Sequence, residues 1–322
     1  MSPEAMANSK ANSSATEQAD ATVGARALIE RHVEYLWREL NGDVKLSEKT
    51  ATELGDYYPW AIPSSRNRAA VVKETMVSRL QHALQWVMQR GPRVRVLDAG
   101  CGLGTESLLF AQIGAEVVGV DLFDKYVTAA QERLEQFEAH IGKRLKVRFS
   151  AMNLFDIPAN ERFDLIYCRE AISHIDPISR FLEFSHSRLV PGGQLVVSDA
   201  NGACLANQLD RIAIRGVRCL HTEVDPATGR EVSVAHERIL GIPRQKREMR
   251  RAGLVPVHEE RQVHLQRLAD LPGLPIVRAV ARALERVPGL SLLVCTHYVI
   301  GAERPPETES KQMAGGQAEG TS

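Results

Sequence analysis

Apolar positions recur at helical spacing in two stretches near the start of the chain. One covers residues 25–40, with Ala27, Leu28, Val33, Leu36 and Leu40 on one stripe, and the other covers 66–89 before a Gly91-Pro92 break. Beyond that break the period changes. Short β-branched runs predict strands over 94–98, 116–120, 145–149, 163–168 and 193–198, and amphipathic runs predict helices over 105–113, 124–141 and 177–189. This succession predicts a doubly wound α/β fold, because each parallel strand pair needs a crossover and the crossover helix packs back on the sheet. After Asp199 the alternation stops. Residues 201–242 interrupt it before a helical 244–252, a Gly253 cap and a strand over 255–263, and residues 265–289 interrupt it again before a last strand over 292–300. Both insertions follow strand ends on the carboxyl edge, where an open α/β sheet places its ligands, and are expected to act as lids.

The first strand runs directly into Asp98-Ala99-Gly100-Cys101-Gly102-Leu103-Gly104 and then into a helix. Glycines there let the backbone turn sharply and approach a ligand that side chains would block. The second strand ends in Asp121, 21 positions beyond Gly100, where a carboxylate is placed to accept from both hydroxyls of a ribose. Nicotinamide dinucleotides and S-adenosylmethionine are both bound in this way. A dinucleotide fingerprint wants a third glycine where Thr105 stands, and the charge of Asp98 beside the turn disfavours a diphosphate and suits a cationic ligand, met directly or through water.

Five ordered segments resemble the class I S-adenosylmethionine-dependent methyltransferases, over about 94–197 and more weakly to 302. They are Val96 to Gly104 (VLDAGCGLG), Val118 to Leu122 (VGVDL), Asn153 to Pro158 (NLFDIP), Phe163 to Cys168 with His174-Ile175, and Leu189 to Val197 (LVPGGQLVV). The resemblance implies a Rossmann-like sheet of seven strands with the last antiparallel, S-adenosylmethionine as cofactor and S-adenosylhomocysteine as product. By the same resemblance Gly100 and Gly102 would line the methionine part, Asp121 the ribose, Leu122 one adenine face, and Asn153 with Leu154 the adenine rim, with Asp98, Cys101, Gly104 and Cys168 also among the cofactor-binding residues.

Domain boundaries follow. Residues 1–22 are polar, without the apolar core of a secretion signal, and are expected to form a disordered leader; 23–92 a helical extension or lid; 93–303 the methyltransferase domain with its insertions; and 304–322, rich in Pro, Glu, Gly and Ser, a disordered tail. Lys plus Arg equals Asp plus Glu at 40 each, so no global field draws the chain to nucleic acid or anionic membrane, and no apolar stretch has spanning length. The expected partner is a small-molecule or lipid-like acceptor met by a monomer or homodimer. RNA, protein, or a non-catalytic role as a cofactor-binding subunit stand as alternatives. Five widely spread cysteines without a Cys-x-x-Cys pair indicate reduced thiols and a cytoplasmic protein, and no metal site is expected.

For chemistry the first candidate is His174, six residues past the fourth strand, as a base or as a group that orients. Glu170, four residues earlier, would share a helical face with it or help hold a cation, and Arg169 would receive a substrate carboxylate or phosphate, or else lie solvated on the surface. Tyr57, Tyr58 and Trp60 are concentrated in a chain with only 5% aromatics, as a substrate wall or as an anchor for the N-terminal helices. Residues 211–251 carry ten basic against five acidic residues, and 274–287 are amphipathic. Each is either a contact surface for an acidic acceptor, membrane or second copy, or an ordinary solvated helix face.

Overall fold

The structure, a computed structural model, describes residues 3–215, 220–224, 229, 231–235, 239–263 and 289–306, with isolated positions between 276 and 287. Three helices come first: α1 (Pro3–Leu40), α2 (Glu48–Tyr57) and α3 (Arg66–Arg90). There follow β1 (Arg95–Ala99), α4 (Thr105–Gln112), β2 (Glu116–Asp121), α5 (Asp124–Ile141), β3 (Val147–Ala151), β4 (Phe163–Arg169), α6 (Ile178–Arg188) and β5 (Leu189–Ala200). Then come α7 (Leu205–Arg215), the hairpin β6 (Leu220–Val224) and β7 (Glu231–Ala235), α8 (Ile242–Arg251), β8 (Val255–Gln262), α9 (Leu290–Val294) and β9 (His297–Glu303).

Seven strands form one sheet in the order β3-β2-β1-β4-β5-β9-β8, with β9 antiparallel to both neighbours and the other pairs parallel. Strand alternation divides the core between the two faces. Val96, Leu165, Tyr167, Val196 and Val299 face the layer holding Ile29, Leu36, Leu80 and Leu109, whereas Leu97, Ile166, Cys168, Val197, Tyr298 and Ile300 face Phe181, Leu182 and Met249. Each large apolar side chain so buried contributes roughly 1.5–3 kcal/mol.

The expected αβ succession is present, with differences at the ends. The structure carries α1 back to Pro3 through the segment expected as a disordered leader; Ala7, Ala11, Ala15 and Ala19 lie one turn apart there, and alanine has the highest helix propensity. The last strand starts at His297, not 292, because Leu290–Val294 forms α9. A short apolar run does not distinguish strand from buried helix by its periodicity. Helix α2 was not anticipated, although Ser47 marks its start by accepting from the Thr50 N–H with Oγ at 3.2 Å. Most of 265–289, the tail beyond 306, Cys219, Arg218, Arg230 and Arg238 lie outside the described residues.

The N-terminal helices are bolted to the start of α4. Arg133 of α5, fully buried, donates to both carboxylate oxygens of Glu39 at 2.9 and 2.7 Å and to Thr105 Oγ1 at 2.9 Å. Tyr58 Oη also donates to Thr105 Oγ1, at 2.8 Å, and His32 Nε2 meets the Thr105 carbonyl at 2.8 Å. Burial and the Arg133 charge push His32 down to about 4, so this imidazole is neutral and its Nε2 carries the donated proton. The glycine turn therefore delivers the chain into a helix whose first residue is held from three directions.

Candidate active site

At the end of β1 the chain reverses through Gly100, Gly102 and Gly104 with φ of 76°, 48° and 75°. All three are needed for space as well as for backbone freedom, a Cβ on Gly104 standing 2.6 Å from the Phe149 ring. A Cβ on Gly100 would stand 2.5 Å from the Ala171 Cβ, and one on Gly102 would stand 2.5 Å from the Tyr57 hydroxyl. The Gly100 and Cys101 N–H groups donate to the Val120 carbonyl at 2.9 and 3.0 Å, which ties the turn to the end of β2.

There Asp121 accepts from Gly102 N–H through Oδ2 at 2.9 Å and from Phe123 N–H through Oδ1 at 3.0 Å. Burial raises this carboxyl, and those backbone donors pull it back. Each oxygen retains acceptor capacity. The Met152 N–H donates to the Asp121 carbonyl at 2.9 Å, so the loop after β3 is docked beside it, with Leu122, Asn153 and Leu154 half-buried. Asn153 Oδ1 accepts from Phe155 N–H at 3.0 Å and caps the turn Leu154–Asp156.

Several expected site residues have partners within the protein. Asp98 is buried on the α4 side, accepts from Ser107 Oγ at 2.6 Å, and is pushed up to about 7 by burial and the neighbouring Glu106. Cys101 is buried within the turn, and burial holds its thiol well above the usual range. Cys168 is fully buried on the opposite sheet face among Phe181 and Leu182, so its thiol does not line the turn. Arg169 is neither solvated nor open to a substrate anion: its Nε lies 2.7 Å from Glu106 and its Nη1 donates to Glu170 at 3.2 Å. Sheet alternation explains this, since residues 165, 167 and 169 share the face covered by α4.

Glu170 does not share a helical face with His174. It takes a left-handed φ of 49° directly after β4, and the short turn Ile172–His174 begins beyond it. Its carboxylate instead accepts from Arg79 Nη2 of α3 at 2.6 Å and lies 3.5 Å from His297 Nε2 at the head of β9. Despite burial, Arg79, His297 and Arg169 hold Glu170 well below the usual carboxylate range. His174 is exposed and near enough to Asp121 for its charge to favour that carboxylate.

Within the aromatic segment the three rings have different surroundings. Tyr58, 1% exposed, is an anchor through Thr105. Tyr57 lies over Gly102 with Tyr126 edge-on at 5.4 Å, and the Trp60 ring lies 5.4 Å from the Arg79 guanidinium; both are half-buried. Among the described residues no three His, Cys, Asp or Glu side chains stand together as metal ligands, and no helix is long and apolar enough to cross a membrane.

A family model described as "Methyltransferase domain" matches residues 65–259, more than half of the chain. The chain belongs to this methyltransferase-domain family. Among curated proteins it is similar to the "Ubiquinone biosynthesis O-methyltransferase" of Nitrobacter winogradskyi, 33% identical over 108 residues that make up 34% of this chain and 39% of that protein. It is also similar to the mitochondrial protein of the same name from Homo sapiens, 27% identical over 143 residues, 42% of this chain and 38% of that one. The chain thus spans about two fifths of the length of these relatives. Among solved structures, magnesium protoporphyrin IX methyltransferase from Synechocystis with bound SAH has a TM-score of 0.50 at 16% identity, covering 79% of this chain and 95% of that one.

The class I methyltransferase fold accounts for the seven-stranded sheet with its antiparallel final strand. Three polar residues of this methyltransferase domain's site were not singled out in the sequence: Arg79, His297 and Asp199. Asp199 accepts from Ser173 N–H at 3.1 Å and from Ala200 N–H at 2.6 Å. Its position at the carboxyl end of a strand was the available signal. Arg79 and His297 carried none, being one charge in a long helix and one residue inside a misplaced strand.

Proposed function

We propose that this protein is an S-adenosylmethionine-dependent methyltransferase that methylates an oxygen of a small or medium organic acceptor. The observation that carries the proposal is the pairing of a tight turn with glycine at 100 and 102 with an Asp121 carboxylate whose two oxygens accept from the Gly102 and Phe123 N–H groups and keep acceptor capacity for two vicinal hydroxyls. Gly100 and Gly102 would hold the methionine part, Asp121 the ribose, and Leu122 with the 153–154 loop the adenine. When bound, that cofactor supplies an electrophilic methyl group on a sulfonium sulfur.

The chain's own contribution is position. In-line displacement needs contact, alignment and exclusion of water, and Tyr57, lying over Gly102, is suited to exclude water. A hydroxyl acceptor has a proton to lose, and exposed His174 on the carboxyl edge is the group proposed to take it. Support for an oxygen acceptor comes from the two O-methyltransferase relatives. Equal numbers of basic and acidic residues argue against a polynucleotide acceptor. Four described cysteines that are free and buried support residence in a reducing compartment such as the cytoplasm.

Calorimetry tests the cofactor assignment. S-adenosylmethionine should bind and NADH should not, and Asp121→Ala should weaken binding about 30-fold, the equivalent of roughly 2 kcal/mol for lost charge-assisted hydrogen bonds. Heat with NADH and none with S-adenosylmethionine refutes it.

A further inference from the structure

Among the described residues only Arg93 and Glu170 hold a left-handed φ without being glycine, and Glu170, at 49°, stands next to Ala171, the residue against which Gly100 is packed. A non-glycine residue in this region costs free energy and persists where the surroundings over-determine it. Here they do. The Glu170 N–H donates to the Ser198 carbonyl at 2.8 Å, and its carboxylate is gripped from three elements, by Arg79 of α3 at 2.6 Å, by Arg169 of β4 at 3.2 Å and by His297 of β9 at 3.5 Å. Exposure is unequal within this cluster. The Glu170 side chain is 39% exposed, against 3% for Arg79, 7% for Arg169 and 17% for His297. The Glu170 side chain is thus the most exposed member of the cluster, with both guanidinium groups buried around it.

We propose that Glu170 is the acceptor-reading group of this site, taking a hydrogen bond from a neutral or cationic acceptor and turning away anionic ones. The inference rests on the methyltransferase assignment above and reverses the expectation that Arg169 would welcome a substrate carboxylate or phosphate. An ionised carboxylate is an acceptor only and offers no donor to an anion. Its low proton affinity makes it a poor base, so it reads and orients while another group receives the proton. Like charges brought together away from bulk water repel strongly, which is how a site rejects a wrong partner of similar shape.

Three phenols of similar size test this by calorimetry on the full chain, with and without saturating S-adenosylhomocysteine: 4-ethylphenol, tyramine and 4-hydroxyphenylacetate. Wild type should bind the first two at least tenfold more tightly than the third. Glu170→Gln removes the negative charge while both guanidinium groups remain, and should reverse the order in favour of 4-hydroxyphenylacetate, a change that a purely structural role does not produce. Glu170→Asp keeps the charge and should keep the wild-type order, so that it and wild type carry the test if the Gln variant does not fold. Equal affinities, no binding of any phenol at millimolar concentration, or a parallel loss of all three in Glu170→Gln overturns the proposal. S-adenosylhomocysteine binding without the charge order sinks this inference alone, whereas failure to bind S-adenosylhomocysteine sinks the assignment on which it rests.

Discussion

Substituting Gly100 with alanine joins two costs that the structure allows to be separated. The backbone there has φ of 76°, and forcing an L side chain into that region costs roughly 1–2 kcal/mol. In addition, the new Cβ would stand 2.5 Å from the Ala171 Cβ, an atom attached rigidly to the backbone, and overpacking of this kind adds about 1–3 kcal/mol. The sum is about 3 kcal/mol, equivalent to a fall in Tm of roughly 6–12 °C for a domain of this size. Gly142 provides the control, since it caps α5 at φ of 65° with nothing within 4 Å of its Cβ position; alanine there should cost the backbone part alone, about 1 kcal/mol. Calorimetric and urea unfolding of both variants measure the difference. Adding Ala171→Gly to Gly100→Ala should recover the steric part, with a coupling of about 1–2 kcal/mol in the double-mutant cycle. Equal destabilisation at Gly100 and Gly142, or no recovery in the double variant, refutes the claim that this turn is pressed against the Glu170-Ala171 corner.

Glu39→Gln should destabilise the protein by about 3–5 kcal/mol in urea unfolding, because it leaves the fully buried Arg133 charge without its counter-ion; a loss under 1 kcal/mol would mean that water reaches the pair. Burial first, and Glu170 among the neighbouring charges, push Asp199 from 3.8 up to about 7, so the native state holds its proton where the unfolded chain has released it. Its contribution to stability is therefore fully present below 3.8 and lost as the pH rises to about 7. Asp199→Asn should flatten the stability profile across that window, and an unchanged profile counts against the shift. His174→Gln should lower turnover at least tenfold while leaving cofactor affinity unaltered, within the usual reach of general base catalysis; unaltered turnover retires His174 as the proton acceptor.

Elements with a regular period were legible before folding, because burial on one or both faces imposes that period locally. Helix α5 over 124–141, β1 and β2 within a residue of their ends, and the glycine turn with Asp121 could all be read from neighbouring residues alone. Elements defined by contacts distant in sequence could not. Leu290–Val294 is apolar and short enough to be either strand or helix, and reading it as strand hid His297 inside a strand that it in fact begins.

The sequence by itself determined the alternation of strands and helices from β1 to β5, the bend after β1, and the acid that faces it, since these depend on side-chain period and on backbone freedom at single residues. Only the tertiary structure decided which charges face one another. Arg79, Glu106, the adjacent pair Arg169 and Glu170, and His297 come from four separate segments, and their pairing follows from the face each occupies on a sheet or helix and from the need to neutralise every charge taken out of water. That need turned Arg169 inward to Glu106 and set Glu170 between Arg79, Arg169 and His297.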